Sequence, residues 1–130
     1  EIVSFADGYP LLLASEESLA DLNQRIATTG GTAIPMSRFR PNLVIKGCAP
    51  YAEDGIGEIR VGDAQFRAVK PCTRCQVTTT DQASGEVRGP EPLRTLATYR
   101  DSPNGVRFGM NLIPLNRATV RLGDAVTLVA

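Results

Sequence analysis

The chain has 130 residues, 42% of them hydrophobic, which suits one globular core built without disulfide or metal staples. Fourteen basic residues balance fourteen acidic ones, so no global field steers it onto nucleic acid or an anionic membrane, and any anion site must be local. No apolar run nears the roughly 18 residues of a membrane span, and no basic-then-apolar signal segment opens the chain, so a cytoplasmic protein without nucleic-acid or membrane partners is expected.

In chain order, "YPLLLAS" reads as a short buried strand running into a helix over "SEESLADLNQRIATTGG". Ser15 is its expected N-cap, and Glu16 and Glu17 favour the positive end of its dipole. Leu19, Leu22 and Ile26 share one face, and Gly30 and Gly31 end the helix. Strand signals then dominate: "NLVIKG", "IGEIRVG", "AQFRAVK", "CQVTTTD", "VRFGMNLI", "ATVRLG" and "AVTLVA" are β-branched and separated by Gly, Asp, Asn or Pro. Val106, Phe108, Met110 and Leu112 alternate as one face of a half-buried strand, and "EPLRTLATYR" is a second helix with Pro92 in its first turn. Ile59-Arg60-Val61-Gly62-Asp63-Ala64 is echoed by Val120-Arg121-Leu122-Gly123-Asp124-Ala125, which reads as two hairpins at barrel corners. The expected fold is mainly β: a closed or nearly closed barrel with one flanking N-terminal helix and one short inserted helix.

Chemistry concentrates in "KPCTRCQVTTTD". Its two cysteines lie two residues apart, and the chain has no histidine. A structural zinc site needs four ligands, and Cys72, Cys75 and Cys48 supply three at best. A thioredoxin-type couple needs a helix after the pair, whereas "QVTTTD" is β-forming. Two readings stay open: buried cysteines acting as small hydrophobes, or a reactive or metal-bound thiolate favoured by the flanking cations Lys70 and Arg74. An odd, small number of cysteines argues for thiols kept reduced. Upstream, Arg38, Arg40 and Lys46 form either a solvated basic edge or an anion site, with Pro41 favouring extended backbone at Arg40. Without histidine, Ser-His-Asp and Cys-His catalysis are excluded. "GIGEIR" lacks the third glycine of a dinucleotide fingerprint, and Glu53 and Asp54 read as turn or cap groups rather than an acid–base pair.

The run from "FRPNLVIKGCAPYAEDG" through "KPCTRCQVTTTD" to "EPLRTLATYR", extended by "YPLLLASEESLADLNQRI" before it and "FGMNLIPLNRATVRLGDAV" after it, resembles the MOSC domain, named for the C-terminus of molybdenum cofactor sulfurase. The resemblance is closest to the group of amidoxime-reducing components and their bacterial relatives. It implies a MOSC-type β-barrel that binds the molybdenum cofactor through one cysteine thiolate, and by motif position that ligand is Cys75. It also implies cofactor contacts from Arg40, Thr73, Arg74 and Asn111, with Cys72 a neighbour. Guanidinium suits the terminal phosphate of the pterin. Because the chain opens at Glu1 and relatives carry a further barrel domain before this stretch, residues 1–130 are expected to be the MOSC portion of a larger protein.

The activity implied by the resemblance, independent of pyridoxal phosphate, is reduction of N-hydroxylated compounds such as hydroxylaminopurines or amidoximes to amines. The cofactor does the redox chemistry, with Cys75 as the catalytic ligand. Electrons would come from a flavoprotein reductase or a ferredoxin-like donor, since the chain shows no flavin fingerprint and too few cysteines for an iron–sulfur cluster. The alternatives are a sulfur carrier for cofactor sulfuration and a module that binds cofactor without turnover.

Overall fold

A computed structural model describes residues 2–4, 11–74 and 91–129. Its elements are β1 (Ile2–Ser4), β2 (Leu11–Ser15), α1 (Glu16–Thr28), β3 (Leu43–Ile45), β4 (Glu58–Val61), β5 (Ala64–Thr73), α2 (Leu93–Tyr99), β6 (Arg107–Pro114), β7 (Thr119–Arg121) and β8 (Val126–Val129). Two 3-10 turns, Met36–Phe39 and Ala52–Gly55, flank β3. The expected strand "CQVTTTD" lies outside the described residues.

Six strands form one sheet in the order β3-β2-β6-β5-β4-β8, and β1 pairs with β7 in a second. Among the described strands only β2 and β3 are parallel. Parallel neighbours need a crossover, and α1 supplies it. That crossover lays α1 on one face of the sheet, so β2 is covered on both sides. All five of its residues are buried, which explains why "LLLA" is a continuous apolar run rather than an alternating one. Leu11 and Leu13 point into one core with Leu43, Ile45, Ile59, Val61, Phe66 and Leu112. Leu12 and Ala14 point into a second, with Leu22 and Ile26 of α1, Leu96 of α2, Phe39 and Phe108.

Leu43 and Ile45 at one edge of the sheet share the first core with Ile59 and Val61 beside the other edge. The sheet therefore curls into a half-barrel, in keeping with the expected mainly β fold though more open than a closed barrel, with α1 as its flanking helix and α2 inserted between β5 and β6. The two edges face each other across a cavity of about 350 Å³ lined by β3, Val61, Val120, Leu122 and Val126.

Local chemistry sets the helix ends. Ser15 caps α1 by accepting the Ser18 N–H at 3.0 Å, a contact of about 1 kcal/mol in typical helices. At the other end Gly30, at φ +85°, donates to the Ala27 carbonyl, and Gly31 donates to that of Ile26, closing a Schellman motif. In α2, Pro92 takes the cap position, and Glu91 does the capping by accepting the Thr95 N–H at 2.9 Å and its hydroxyl at 2.6 Å.

Two expectations are corrected. The first echo is a hairpin, β4 pairing with β5, but the second is not: β7 pairs with β1 and β8 with β4. Asp124 accepts the Arg121 N–H at 2.8 Å and turns the chain from one sheet to the other, while Gly62 N–H donates to the Ala125 carbonyl at 2.9 Å and ties this corner to the true hairpin. The face read as Val106, Phe108, Met110 and Leu112 is also divided. Val106 and Phe108 pack in the outer core, Met110 and Leu112 in the inner one. Gly109, at φ +88°, makes the switch; a Cβ there would stand 2.7 Å from Leu12 Cδ1 and 2.8 Å from the Leu13 carbonyl oxygen.

Candidate functional site

The β5–β6 pair carries two register breaks. Ala68 pairs with Leu112 and Lys70 with Asn111, so Val69 is an extra residue that bulges outward and is 54% exposed. In a regular strand Lys70 would follow Phe66 and Ala68 toward the barrel interior. The bulge instead sets it beside Asn111, on the face Asn111 shares with its other partner Leu12. Bulges next to functional sites re-aim side chains in this way. The second break falls at Gly109, after which Thr73 pairs with Arg107.

These breaks open a cleft of about 430 Å³ lined by Lys70, Pro71, Cys72, Thr73, Ser102, Asn104, Arg107 and Asn111. Thr73 and Asn111, expected from the resemblance, therefore come together. The sequence marks Lys70 only as a cation near the cysteines. Arg107 and Asn104 were not anticipated: Arg107 is brought in by strand register, which no local pattern encodes, and Asn104 by the turn before β6.

Arg74 does not line the cleft. One Nη donates to the Phe39 carbonyl at 2.7 Å, the other to Cys72 Sγ at 3.1 Å, and the Arg74 N–H donates to the Val106 carbonyl at 2.8 Å. The guanidinium carbon lies 5.4 Å from the Phe39 ring centre, and that ring stacks on Phe108 at 4.0 Å. Arg74 is thus a tie that fastens the end of β5 to the turn preceding Arg40. Its partner Cys72, which the sequence left without a task, accepts that bond and packs against the outer core. Cys75 itself lies outside the described residues.

Arg40 is exposed and stands at the end of the Met36–Phe39 turn. The extended backbone expected before Pro41 is corrected: Arg40 is left-handed, at φ 51° and ψ 52°, because its N–H closes the turn onto the Ser37 carbonyl. A non-glycine residue held there costs on the order of 1–2 kcal/mol. Asn42, two residues on, binds the outer edge of β2 with both its groups: its N–H donates to the Leu12 carbonyl and its Oδ1 accepts the Leu12 N–H.

The acidic pair is structural, as expected. Glu53 is buried and accepts the hydroxyls of Ser18 at 2.7 Å and Ser15 at 3.2 Å, and Asp54 pairs with Arg100 at 2.5 Å. The Tyr51 hydroxyl meets that of Tyr99 and donates to Asp21 at 2.9 Å. Burial pushes the ionisation of both phenols upward, so they stay neutral donors that clamp α1 to α2. Among the described residues no group of three or more His, Cys, Asp or Glu side chains is placed to hold a metal ion, and no helix is long and apolar enough to cross a membrane.

A family model, the MOSC domain, matches residues 1–127. The mitochondrial amidoxime-reducing component 1 of Homo sapiens is 38% identical over 135 residues, covering 98% of this chain and 39% of its own length. The molybdenum cofactor sulfurase of Oryza sativa subsp. japonica is 40% identical over 132 residues, covering 97% of this chain and 16% of its own. The chain thus spans less than half the length of these curated relatives. Among solved structures, YiiM from Geobacillus stearothermophilus superposes with a TM-score of 0.66 at 16% identity, covering 100% of this chain and 61% of that one, a likeness of fold.

Proposed function

The chain belongs to the MOSC domain family, and from that premise we propose that it is the molybdenum-cofactor-binding part of an oxidoreductase that reduces N-hydroxylated compounds, such as hydroxylaminopurines and amidoximes, to amines. The observation that carries this reading is the cleft beside β5, where Asn111 meets Thr73, which stands one residue before Arg74 and two before Cys75 in sequence. The 38% identity to a relative named as an amidoxime-reducing component supports the reaction class.

The donor set fits such a cofactor. A pterin bearing a phosphate asks for cations and amides, and the cleft offers Lys70, Arg107, Asn104 and Asn111, with no carboxylate in its lining among the described residues. A metal that brings its own sulfur ligands needs one protein thiolate, and Cys75 would supply it. The bound cofactor supplies the two-electron chemistry that parts oxygen from nitrogen. The rest is done by the chain. Arg74 braces the strand end from which Cys75 follows, by holding the Phe39 carbonyl and Cys72 together. Thr73 and Asn111 orient what enters the cleft, and Arg40, one residue beyond Phe39 and outside the cleft lining, is proposed as a further cofactor contact. The reaction consumes two electrons and two protons and releases amine and water. A flavoprotein reductase or a ferredoxin-like protein is the proposed electron donor. A preceding barrel domain is proposed to complete the cofactor contacts, and the cytoplasm is the proposed compartment.

Full-length protein, supplied with cofactor and a competent donor, is expected to convert 6-hydroxylaminopurine to adenine. A molybdenum-loaded protein that reduces no N-hydroxylated base or amidoxime would refute the reading. The 40% identity to a molybdenum cofactor sulfurase favours a second reading, sulfur transfer; a persulfide found on Cys75 by mass spectrometry after incubation with a cysteine desulfurase would support it.

A further inference from the structure

Two cations, Lys70 and Arg107, line the cleft beside β5, and among the described residues no carboxylate lines it. Among the described residues neither forms an ion pair, in a chain whose net charge is zero. Each stands across the β5–β6 ladder from a small polar residue, Lys70 from Asn111 and Arg107 from Thr73. Cβ atoms in such cross-strand pairs lie about 5 Å apart, so the four side chains crowd one small volume. Arg107 Nε is buried and makes no hydrogen bond among the described residues, a donor that is costly to leave unmade.

The opposite wall of the cleft is also fixed. Ser102 and Gly105 exchange backbone hydrogen bonds of 3.0 Å in both directions, and the Ser102 hydroxyl donates to the Gly105 carbonyl at 2.6 Å. The turn is held at both ends, since Arg107 N–H donates to the Arg100 carbonyl and Arg74 N–H to the Val106 carbonyl. Gly105, at φ +120°, sits so near that a Cβ would lie 3.7 Å from Thr73 Cβ, and this holds Asn104 over the cleft.

We infer that this cleft is a phosphate-monoester subsite built by Lys70 and Arg107, with the amides of Asn104 and Asn111 and the hydroxyl of Thr73. A phosphate monoester carries about −1.5 to −2 charge at neutral pH and several acceptor oxygens, which two cations without an ion pair among the described residues and a ring of neutral donors match. A neutral ring system would bring neither cation a counter-charge. The Val69 bulge, which turns Lys70 out of the barrel, then has a binding consequence rather than a purely structural one. The inference rests on the proposed cofactor-binding reading and deepens it, by naming a phosphate monoester, of cofactor or of substrate, as the group that Lys70 and Arg107 take. Two molecules could bring the group: a phosphorylated substrate such as an N-hydroxylated nucleotide, or the cofactor through its own terminal phosphate.

The test uses full-length, cofactor-loaded protein and its Lys70→Met and Arg107→Gln variants. Cytidine 5′-monophosphate and cytidine are titrated by calorimetry at low salt, and molybdenum per chain is measured in parallel. If the phosphate belongs to the substrate, the monophosphate binds the parent protein about tenfold or more tightly than the nucleoside, and both variants erase the difference while keeping molybdenum. If it belongs to the cofactor, the parent does not discriminate and both variants lose molybdenum. Variants that keep both the parent's discrimination and its molybdenum overturn the subsite, as does a parent that does not discriminate paired with variants that keep their metal. Lys70 is exposed, so its variant decides the matter should Arg107→Gln fail to fold. Protein that never takes up molybdenum would refute the proposed reaction instead, and the titration would still read the phosphate site.

Discussion

Replacing Gly109 with alanine tests whether the switch in β6 is a real constraint. The residue stands at φ +88°, where an L side chain costs about 1–2 kcal/mol. The new methyl would also lie 2.7 Å from Leu12 Cδ1 and 2.8 Å from the Leu13 carbonyl oxygen. Neither can give way cheaply: Leu12 is packed in the outer core, and Leu13, fully buried, is locked in the ladder opposite Met110. Overpacking of this kind costs about 1–3 kcal/mol. The sum, about 2–5 kcal/mol, is a large share of the roughly 5–15 kcal/mol that holds a domain of this size together. Urea unfolding should show a lowered midpoint at unchanged slope. Gly123→Ala isolates the backbone part, since Gly123 sits at φ +92° with nothing within 4 Å of its would-be Cβ, so only about 1–2 kcal/mol is expected there. Equal losses in the two variants, or a Gly109→Ala loss under about 1 kcal/mol, would refute the steric half of the reasoning.

Arg74→Lys keeps the charge but loses the planar fork, so one ammonium cannot hold both the Phe39 carbonyl and Cys72 Sγ; a loss of about 1.5–3 kcal/mol in urea unfolding is expected, and full stability would contradict the tie. Glu17 titrates below its ordinary 4.5, first because the Gly47 N–H donates to its carboxylate. Its folded pKa is depressed, so its stabilisation is present above the unfolded value and is lost as pH falls through the lowered one. The stability difference between the parent and Glu17→Gln should therefore be constant above about pH 5 and shrink toward zero in more acidic urea titrations, whereas a difference that grows on acidification would reverse the sign.

The readable parts of this fold are those set by neighbours in sequence. Ser15, the first-turn glutamates and the Gly30–Gly31 pair bound α1, because capping is local chemistry. Every described strand but β1 announces itself by composition, and even the double burial of β2 is written in an unbroken apolar run. What escapes is whatever depends on distant pairing. The second Gly-Asp echo is a corner because its strands find partners in β1 and β4, far away in sequence. Phe108 and Met110 part company at a glycine whose role needs Leu12 and Leu13 opposite it. The site divides the same way. Motif position led to Thr73 and Asn111, which do share a cleft, but Lys70 turns toward them through a bulge and Arg107 through register. Arg74, read as a cofactor anchor, is engaged with Phe39 and Cys72, a use that no local pattern could reveal.

The central claim is an asymmetric cysteine pair, with Cys75 as the metal ligand and Cys72 as the acceptor that steadies Arg74. Molybdenum per chain, measured by elemental analysis on full-length protein and its Cys75→Ser and Cys72→Ser variants, tests it most directly. Loss of molybdenum from the Cys75 variant alone is the predicted result. Equal loss from both, or loss from Cys72→Ser alone, would contradict the account.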